Sequence, residues 1–320
     1  MAGFAQRYRW WPVKTAPGVQ HSQRSRVRVL AFAALVALAG PAMADWKPLT
    51  WADLTARPRP KADATVAYGP DQMQKVDVWL PKSGKRPFPT VVMVHGGCWQ
   101  TSIADRSLMD WIAGDLRDHG VAVWNIDYRG VDRAGGGWPG TFADAAAATD
   151  ALSANAAKFG LDTKRVVAIG HSAGGHLALW LAGRPKLPKG SALRAAAPLK
   201  IAHAISLGGL PDLEATAASP DNGCGTEVVG KLVGTPPHWA EASVPRLLPL
   251  GVPQDLVNGR EDRIIPFRLA TGYRDQAAKA GDRVTLHTVP QTGHVELVTP
   301  DTPAWAKARA LVLAALGRIR

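Results

Sequence analysis

An α/β fold built on a mostly parallel sheet is what this sequence predicts, and three observations carry the prediction. Continuously apolar runs at Val91–Val94, Val121–Ile126 and Val166–Ile169 suit strands buried on both faces. Stretches with apolar residues three and four apart separate such runs, so strands alternate with helices. With 46% apolar and 20% charged residues among 320, the chain has material for a packed core, which excludes a mainly disordered or fibrous protein.

Residues 1–44 stand apart from this pattern. A basic stretch from Arg24 to Arg28, an apolar run from Val29 to Ala39 and the small-residue site Ala42-Met43-Ala44 resemble a secretory signal peptide cleaved after Ala44. The apolar run falls short of the roughly 20 residues that a membrane-crossing helix needs. The expectation is therefore a periplasmic or secreted chain with no stable membrane anchor after cleavage. The formal net charge of +12 owes half its size to this leader, which holds six Lys or Arg and no acidic residue and leaves +6 for the rest. Those other basic residues are scattered rather than clustered with aromatics, so no nucleic-acid groove is indicated.

Residues 45–65 form an arm rich in Trp and Pro (Trp46, Pro48, Trp51, Pro58, Pro60), expected to lie against the body as an irregular segment or short helix. The main domain then runs over residues 66–320. Val76, Val78 and Leu80 alternate with Asp77 and Trp79, the pattern of a half-exposed edge strand. A stripe of Met109, Ile112 and Leu116 ends at Gly120. Phe142, Ala145, Thr149, Leu152, Ala156 and Phe159 mark the longest helix, with Thr141 and Asp144 as a capping box and Gly160 as its stop. Ile201–Leu207, Leu256–Val257 and Val284–Val289 complete the strands. Between them residues 210–249, rich in Gly, Pro and Asp, break the alternation and read as an insertion over the carboxyl edge of the sheet, a candidate cap. Thr302-Pro303 open the last helix, striped by Trp305, Ala308, Val312, Leu316 and Ile319. No internal repeat is visible.

Cys98 and Cys224 are the two cysteines, and in an exported protein such a pair either forms a disulfide or remains as two buried thiols. A bridge would be worth on the order of 4–5 kcal/mol for so long a loop in the chain-entropy model. No spacing of residues suggests a metal site.

The strongest chemical signal is Gly170-His171-Ser172-Ala173-Gly174, directly after the strand Val166–Ile169 and before a helical stretch containing Leu177, Trp180 and Leu181. A serine held on a sharp strand-to-helix turn needs neighbours without bulk, which the two glycines supply, and the following helix aims N–H groups at an anion beside it. His95-Gly96-Gly97-Cys98-Trp99 follows the strand Val91–Val94 and resembles the oxyanion loop of esterases in the α/β-hydrolase family. In that reading an N–H of Gly97 or Cys98 joins that of Ala173 to stabilise a tetrahedral oxyanion. Cys98 stands where many such esterases carry a third glycine or an aromatic residue. His95 is read as shaping the loop through hydrogen bonds.

A serine nucleophile requires a base, and the base an orienting carboxylate. Asp262 follows a predicted strand and His294 follows the next, so the order is serine, acid, histidine, as in α/β-hydrolases. Glu261 and, more distantly, Asp212 are rival acids; His171, His176 and His203 are read as packing or supporting residues. Asp127-Tyr128-Arg129 after a central strand is a further feature shared with that family. Gly170-His171-Ser172-Ala173-Gly174-Gly175-His176 together with His95-Gly96-Gly97 looks most like the carboxylesterase and kynurenine formamidase group.

The resemblance implies acyl transfer through Ser172, with His294 as base, Asp262 as orienting acid and no cofactor. The expected partner is a small-molecule ester of a short-chain or aromatic acid. A formamidase or amidase cleaving C–N bonds is the alternative, and a non-catalytic binding protein on a hydrolase scaffold is the third reading. Trp99 and Trp138 are candidate substrate-binding residues, whereas Trp239 is read as packing.

Overall fold

A computed structural model describes residues 46–317. The leader with its expected cleavage site lies outside the described residues, as does Ile319. Eight strands form the sheet among the described residues: β1 (Ala64–Ala67), β2 (Lys75–Trp79), β3 (Phe88–Val94), β4 (Ala122–Ile126), β5 (Leu161–His171), β6 (Ile201–Leu207), β7 (Gln254–Gly259) and β8 (Val284–Val289). Their order is β1-β2-β4-β3-β5-β6-β7-β8. The β1–β2 and β2–β4 pairs are antiparallel, and every other pair is parallel.

Around the sheet lie α1 (Trp51–Thr55), α2 (Asp110–Asp118), α3 (Gly140–Phe159), α4 (Ala173–Gly183), α5 (Leu213–Ala217), α6 (Thr226–Val233), α7 (Trp239–Ala242), α8 (Phe267–Lys279) and α9 (Pro303–Ala315). The central strands are mainly apolar where both faces are buried, because successive side chains enter two different cores. Val92 and Val94 of β3 pack with Phe142 of α3, Leu177 of α4 and Tyr273 of α8. Val91 and Met93 enter the second core with Ile112 of α2, Trp305 of α9 and Leu54 of α1.

Two details depart from the sequence reading. Residues 76–80 do not form the sheet edge, because β1 pairs along β2 and leaves Val76, Val78 and Trp79 buried. β1 itself, Ala64-Thr65-Val66-Ala67, is too short and too small in side chain to announce itself as a strand. The expected capping box at Thr141 and Asp144 is also absent. Helix α3 begins at Gly140 without a side-chain cap. Asp144 instead receives two hydrogen bonds from the Arg129 guanidinium, at 2.7 and 2.8 Å, and Thr141 Oγ1 donates to the Arg129 carbonyl at 2.6 Å. A buried carboxylate pairs with a guanidinium in preference to a helix N–H. Gly160 ends α3 at φ 68, in the left-handed conformation that glycine adopts without penalty.

Residues 210–249 fold as α5, α6, α7 and a 3₁₀ turn over Val244–Leu247, between β6 and β7. Cys224, within this segment, is disulfide-bonded to Cys98 in the loop after β3, with 5.2 Å between their Cα atoms.

Candidate active site

Ser172 occupies the single residue between the end of β5 and the start of α4, at φ 54 and ψ −122. A serine in that region is strained, and the surroundings must hold it there. They do so by close backbone approach. A Cβ on Gly170 would stand 2.0 Å from the Gly174 carbonyl oxygen, and one on Gly174 would stand 2.2 Å from the Val94 oxygen. The Ser172 N–H donates to the Leu207 carbonyl at 2.8 Å, which ties the turn to β6. Ala173 is the first residue of α4, so its N–H belongs to the unsatisfied amino end of an 11-residue helix beside Ser172.

The loop after β3 carries three consecutive residues with positive φ: Gly97 at 98, Cys98 at 53 and Trp99 at 54. Each is restrained differently. A Cβ on Gly97 would lie 2.8 Å from the Ala104 Cβ, Cys98 is held by its disulfide, and Trp99 is fully buried. The Trp99 indole N–H donates to His176 Nδ1 at 3.3 Å, and its carbonyl accepts from Val131 at 2.7 Å. Burial pushes the His176 imidazole down to about 4, which keeps it neutral and able to accept that bond while its Nε2–H donates to the Ala242 carbonyl at 2.9 Å.

His95 supports the base of the loop. Its ring stacks on Tyr128 at 4.3 Å, Nε2 lies 2.9 Å from Asp127 Oδ1 and Nδ1 lies 2.7 Å from the Gly96 oxygen. Tyr128 in turn donates its hydroxyl to the His95 carbonyl at 3.0 Å.

The acid and the base meet at the ends of β7 and β8. Asp262 Oδ2 lies 2.7 Å from His294 Nδ1, with both side chains almost fully buried. Asp262 Oδ1 accepts the N–H groups of Ile264 and Ile265 at 2.8 and 2.9 Å, which fixes the carboxylate plane. The rival acids are engaged elsewhere: Glu261 Oε2 accepts from the Thr292 N–H at 3.0 Å, and Asp212 caps α5 through the Ala215 N–H at 3.0 Å. His203 is also remote, paired with Asp255 at 2.7 Å.

Gly208 brings the pair to the serine. It follows Leu207, which accepts the Ser172 N–H, and a Cβ on it would lie 3.3 Å from both Asp262 Oδ2 and His294 Nδ1. His171 closes the group from the other side. Its ring lies 4.3 Å from the His294 ring, and its Nε2–H donates to the His294 carbonyl at 3.1 Å. Full burial, and then the neighbouring His294, hold the His171 imidazole well below its ordinary titration range, so it serves as a neutral donor. Asp262 and His294 thus meet beside Gly208, one residue from the Leu207 carbonyl that holds the Ser172 N–H, and His294 shares a cleft with Gly97 and Cys98.

A cleft of about 360 Å³ opens onto His294. Gly97, Cys98, Ile103, Leu108 and Ile264 line it together with Trp51 from α1, and no Asp, Glu, Lys or Arg does. Trp99 and Trp138, the expected substrate-binding aromatics, are not among its walls. Trp99 is a core residue, and Trp138 stacks on His238 at 4.4 Å and tilts against Phe142 at 5.5 Å, which commits its ring to joining the 210–249 segment to α3. Sequence reasoning missed Trp51: the arm's richness in Trp was visible, but the face it presents was not. Among the described residues no group of three or more His, Cys, Asp or Glu is arranged to hold a metal ion.

Residues 76–276 match the BD-FAE family, which accounts for well over half of the chain. The chain belongs to the BD-FAE family. Proteins similar to this BD-FAE chain include named esterases. It is 27% identical over 247 residues to the esterase LipC of Mycobacterium tuberculosis, an alignment covering 72% of this chain and 58% of LipC. It is 29% identical over 119 residues to a probable isoprenylcysteine alpha-carbonyl methylesterase of Arabidopsis thaliana, covering 37% of this chain and 24% of that protein. The chain therefore spans less than two thirds of the length of these relatives. Among solved structures, a truncated carbohydrate esterase from gut microbiota superposes with a TM-score of 0.69 at 20% identity, covering 81% of this chain and all of that one. A bacterial heroin esterase does so at 0.62 and 24%, covering 80% and 83%. The fold is that of the α/β-hydrolases.

Proposed function

We propose that this BD-FAE chain is an exported serine esterase that hydrolyses small carboxylic esters of short-chain or aromatic acids through an acyl-enzyme. The observation that carries the reading is the 2.7 Å contact between Asp262 and His294, abutting the Gly208 backbone next to the residue that tethers Ser172. With Nδ1–H directed to Asp262, His294 presents Nε2 as the proton acceptor. Nε2 takes the Ser172 Oγ proton as Oγ attacks the ester carbonyl. The developing oxyanion is met by the Ala173 N–H and by an N–H of the Gly97–Cys98 loop, each such donor typically worth about 10²–10³ in turnover. His294 then passes its proton to the departing alkoxide, and the acyl-enzyme remains. In the second half His294 deprotonates water, the hydroxide attacks the acyl carbon, the imidazolium returns the proton to the departing Ser172 Oγ, and the acid leaves. The uncharged walls of the cleft suit a neutral, apolar acyl or alkoxy group.

The test is a panel of p-nitrophenyl esters of increasing chain length, a feruloyl ester and N-formylkynurenine, run on the native chain and on Ser172→Ala. The expected result is hydrolysis of the esters, covalent labelling by a fluorophosphonate, and loss of both in the variant. Turnover of N-formylkynurenine above the esters would move the reading to C–N hydrolysis. Labelling that persists in Ser172→Ala would remove Ser172 as nucleophile. Export is tested separately by the intact mass of the exported protein, expected to begin at Asp45.

A further inference from the structure

We infer that the arm preceding the sheet is part of the active site and that Trp51 is a specificity-determining residue, forming a wall of the cleft against which the apolar group of the substrate packs. The inference deepens the esterase reading and rests on it for the identity of the reaction. Trp51 lies outside residues 76–276, the part matched by the family, so this wall is a feature of this chain's own flank.

Three observations carry it. Trp51 lines the same cleft as His294, and its ring stands edge-on to His294 at 6.4 Å and to His171 at 6.0 Å between centroids. The helix turn bearing it is built to stay in place. Thr50 and Asp53 form a reciprocal capping box on α1, while Leu54, one turn along, is fully buried in the second core. Long-range bonds fix the arm on both sides of Trp51: the Leu49 N–H donates to Glu296 Oε1 at 2.6 Å, and the Arg57 guanidinium donates to the Pro300 carbonyl at 3.1 Å. Glu296 and Pro300 belong to the segment following His294, so arm and imidazole share one frame. Finally, Ile103, Ala104, Leu108 and Ile264 give the cleft an apolar wall, and Ile103 is an exposed large hydrophobic residue of the described chain, at 59% exposure. An indole face beside such a mouth supplies a large rigid apolar contact to a bound neutral group.

The experiment compares the native full chain with Trp51→Ala and Trp51→Phe. Steady-state hydrolysis of p-nitrophenyl acetate and hexanoate is measured beside calorimetric binding of 4-nitroanisole, a neutral aryl probe with no bond to cleave. Trp51→Ala is expected to raise KM for the hexanoate and the Kd for 4-nitroanisole by roughly tenfold each, and KM for the acetate by less than about twofold, with kcat nearly retained. Trp51→Phe, which keeps an aromatic wall, is expected to recover most of the loss. The inference is overturned if 4-nitroanisole binding and the hexanoate-to-acetate ratio are the same in all three proteins. Binding of 4-nitroanisole that depends on Trp51 in a chain that hydrolyses no ester would uphold the wall and reject the esterase reading.

Discussion

Glu296 joins two segments that lie 247 residues apart: Oε1 accepts the Leu49 N–H at 2.6 Å, and Oε2 accepts the Gly293 N–H at 3.0 Å. One buried carboxylate thus fixes both the arm and the residue before His294. Hydrogen bonds to a charged acceptor are roughly twice as strong as neutral ones, and buried N–H groups left without an acceptor are costly. Glu296→Ala is expected to destabilise the fold by roughly 2–4 kcal/mol in urea unfolding. It should also lower kcat for a p-nitrophenyl ester more than it raises KM, because the imidazole loses its support. Wild-type stability and kcat in this variant would show that the two bonds are dispensable.

Asp262→Asn separates the acid from its rivals. An amide at this position presents the wrong hydrogen-bonding group to His294 Nδ1, and the corresponding change in a serine triad costs on the order of 10⁴ in kcat. Glu261→Gln leaves the Asp262–His294 contact intact and should keep kcat within a few fold. Asp212→Asn should do the same, since Asn also serves at a helix N-cap. A large kcat loss in Glu261→Gln with little in Asp262→Asn would reverse the assignment of the acid.

β3, β4 and the second half of β5 were legible because burial on both faces leaves mainly apolar runs; Ile201–Leu207 and Val284–Val289, which carry polar residues, nevertheless have the same limits in the structure as in the sequence reading. The first half of β5 was not, since Asp162, Thr163, Lys164 and Arg165 carry no such signal and lie where the register with β3 shifts between Phe88 and Thr90. At the site, chain order pointed to a serine, an acid and a histidine, but it could not choose between Glu261 and Asp262. That choice depends on where one tight turn directs adjacent carboxylates, toward Thr292 N or toward the N–H groups of Ile264 and Ile265. Trp51 and Glu296 were illegible for another reason. Their meaning lies in contacts between the two ends of the described chain, and neither sits in a local pattern that announces a partner.

The Cys98–Cys224 bridge closes a separation of 126 residues and holds a non-glycine residue at φ 53 in the loop beside Ser172. Constraining so long a loop in the unfolded chain is worth on the order of 4–5 kcal/mol, with 2–5 commonly lost when a native bridge is removed. Cys98→Ser/Cys224→Ser, and the native chain under dithiothreitol, are therefore expected to unfold at lower urea by that margin. Turnover should fall as well, because serine at position 98 is no longer tied into its left-handed conformation. Equal unfolding midpoints with and without reductant would argue against a bridge in solution.

Asp110 supplies a pH dependence of stability that is independent of the active site. It is buried at the start of α2, Oδ1 has no hydrogen-bond partner, and the nearest cation, Arg59, is 3.8 Å away and half exposed. Burial pushes its carboxyl up to about 7, with Arg59 opposing and Asp77 and Asp105 adding to the rise. In the unfolded chain the same carboxyl ionises near 3.8. Between about pH 4 and pH 7 the folded state therefore holds a proton that the unfolded state has released, and stability falls as pH rises through that window. Above about 7 both states are ionised and this contribution is constant. Asp110→Asn, which mimics the protonated form, is expected to match the native chain near pH 4 and to exceed it by up to a few kcal/mol at pH 8. Urea unfolding at pH 4.5, 6 and 8 measures the difference, and parallel stability profiles for the two proteins would assign the slope to other groups.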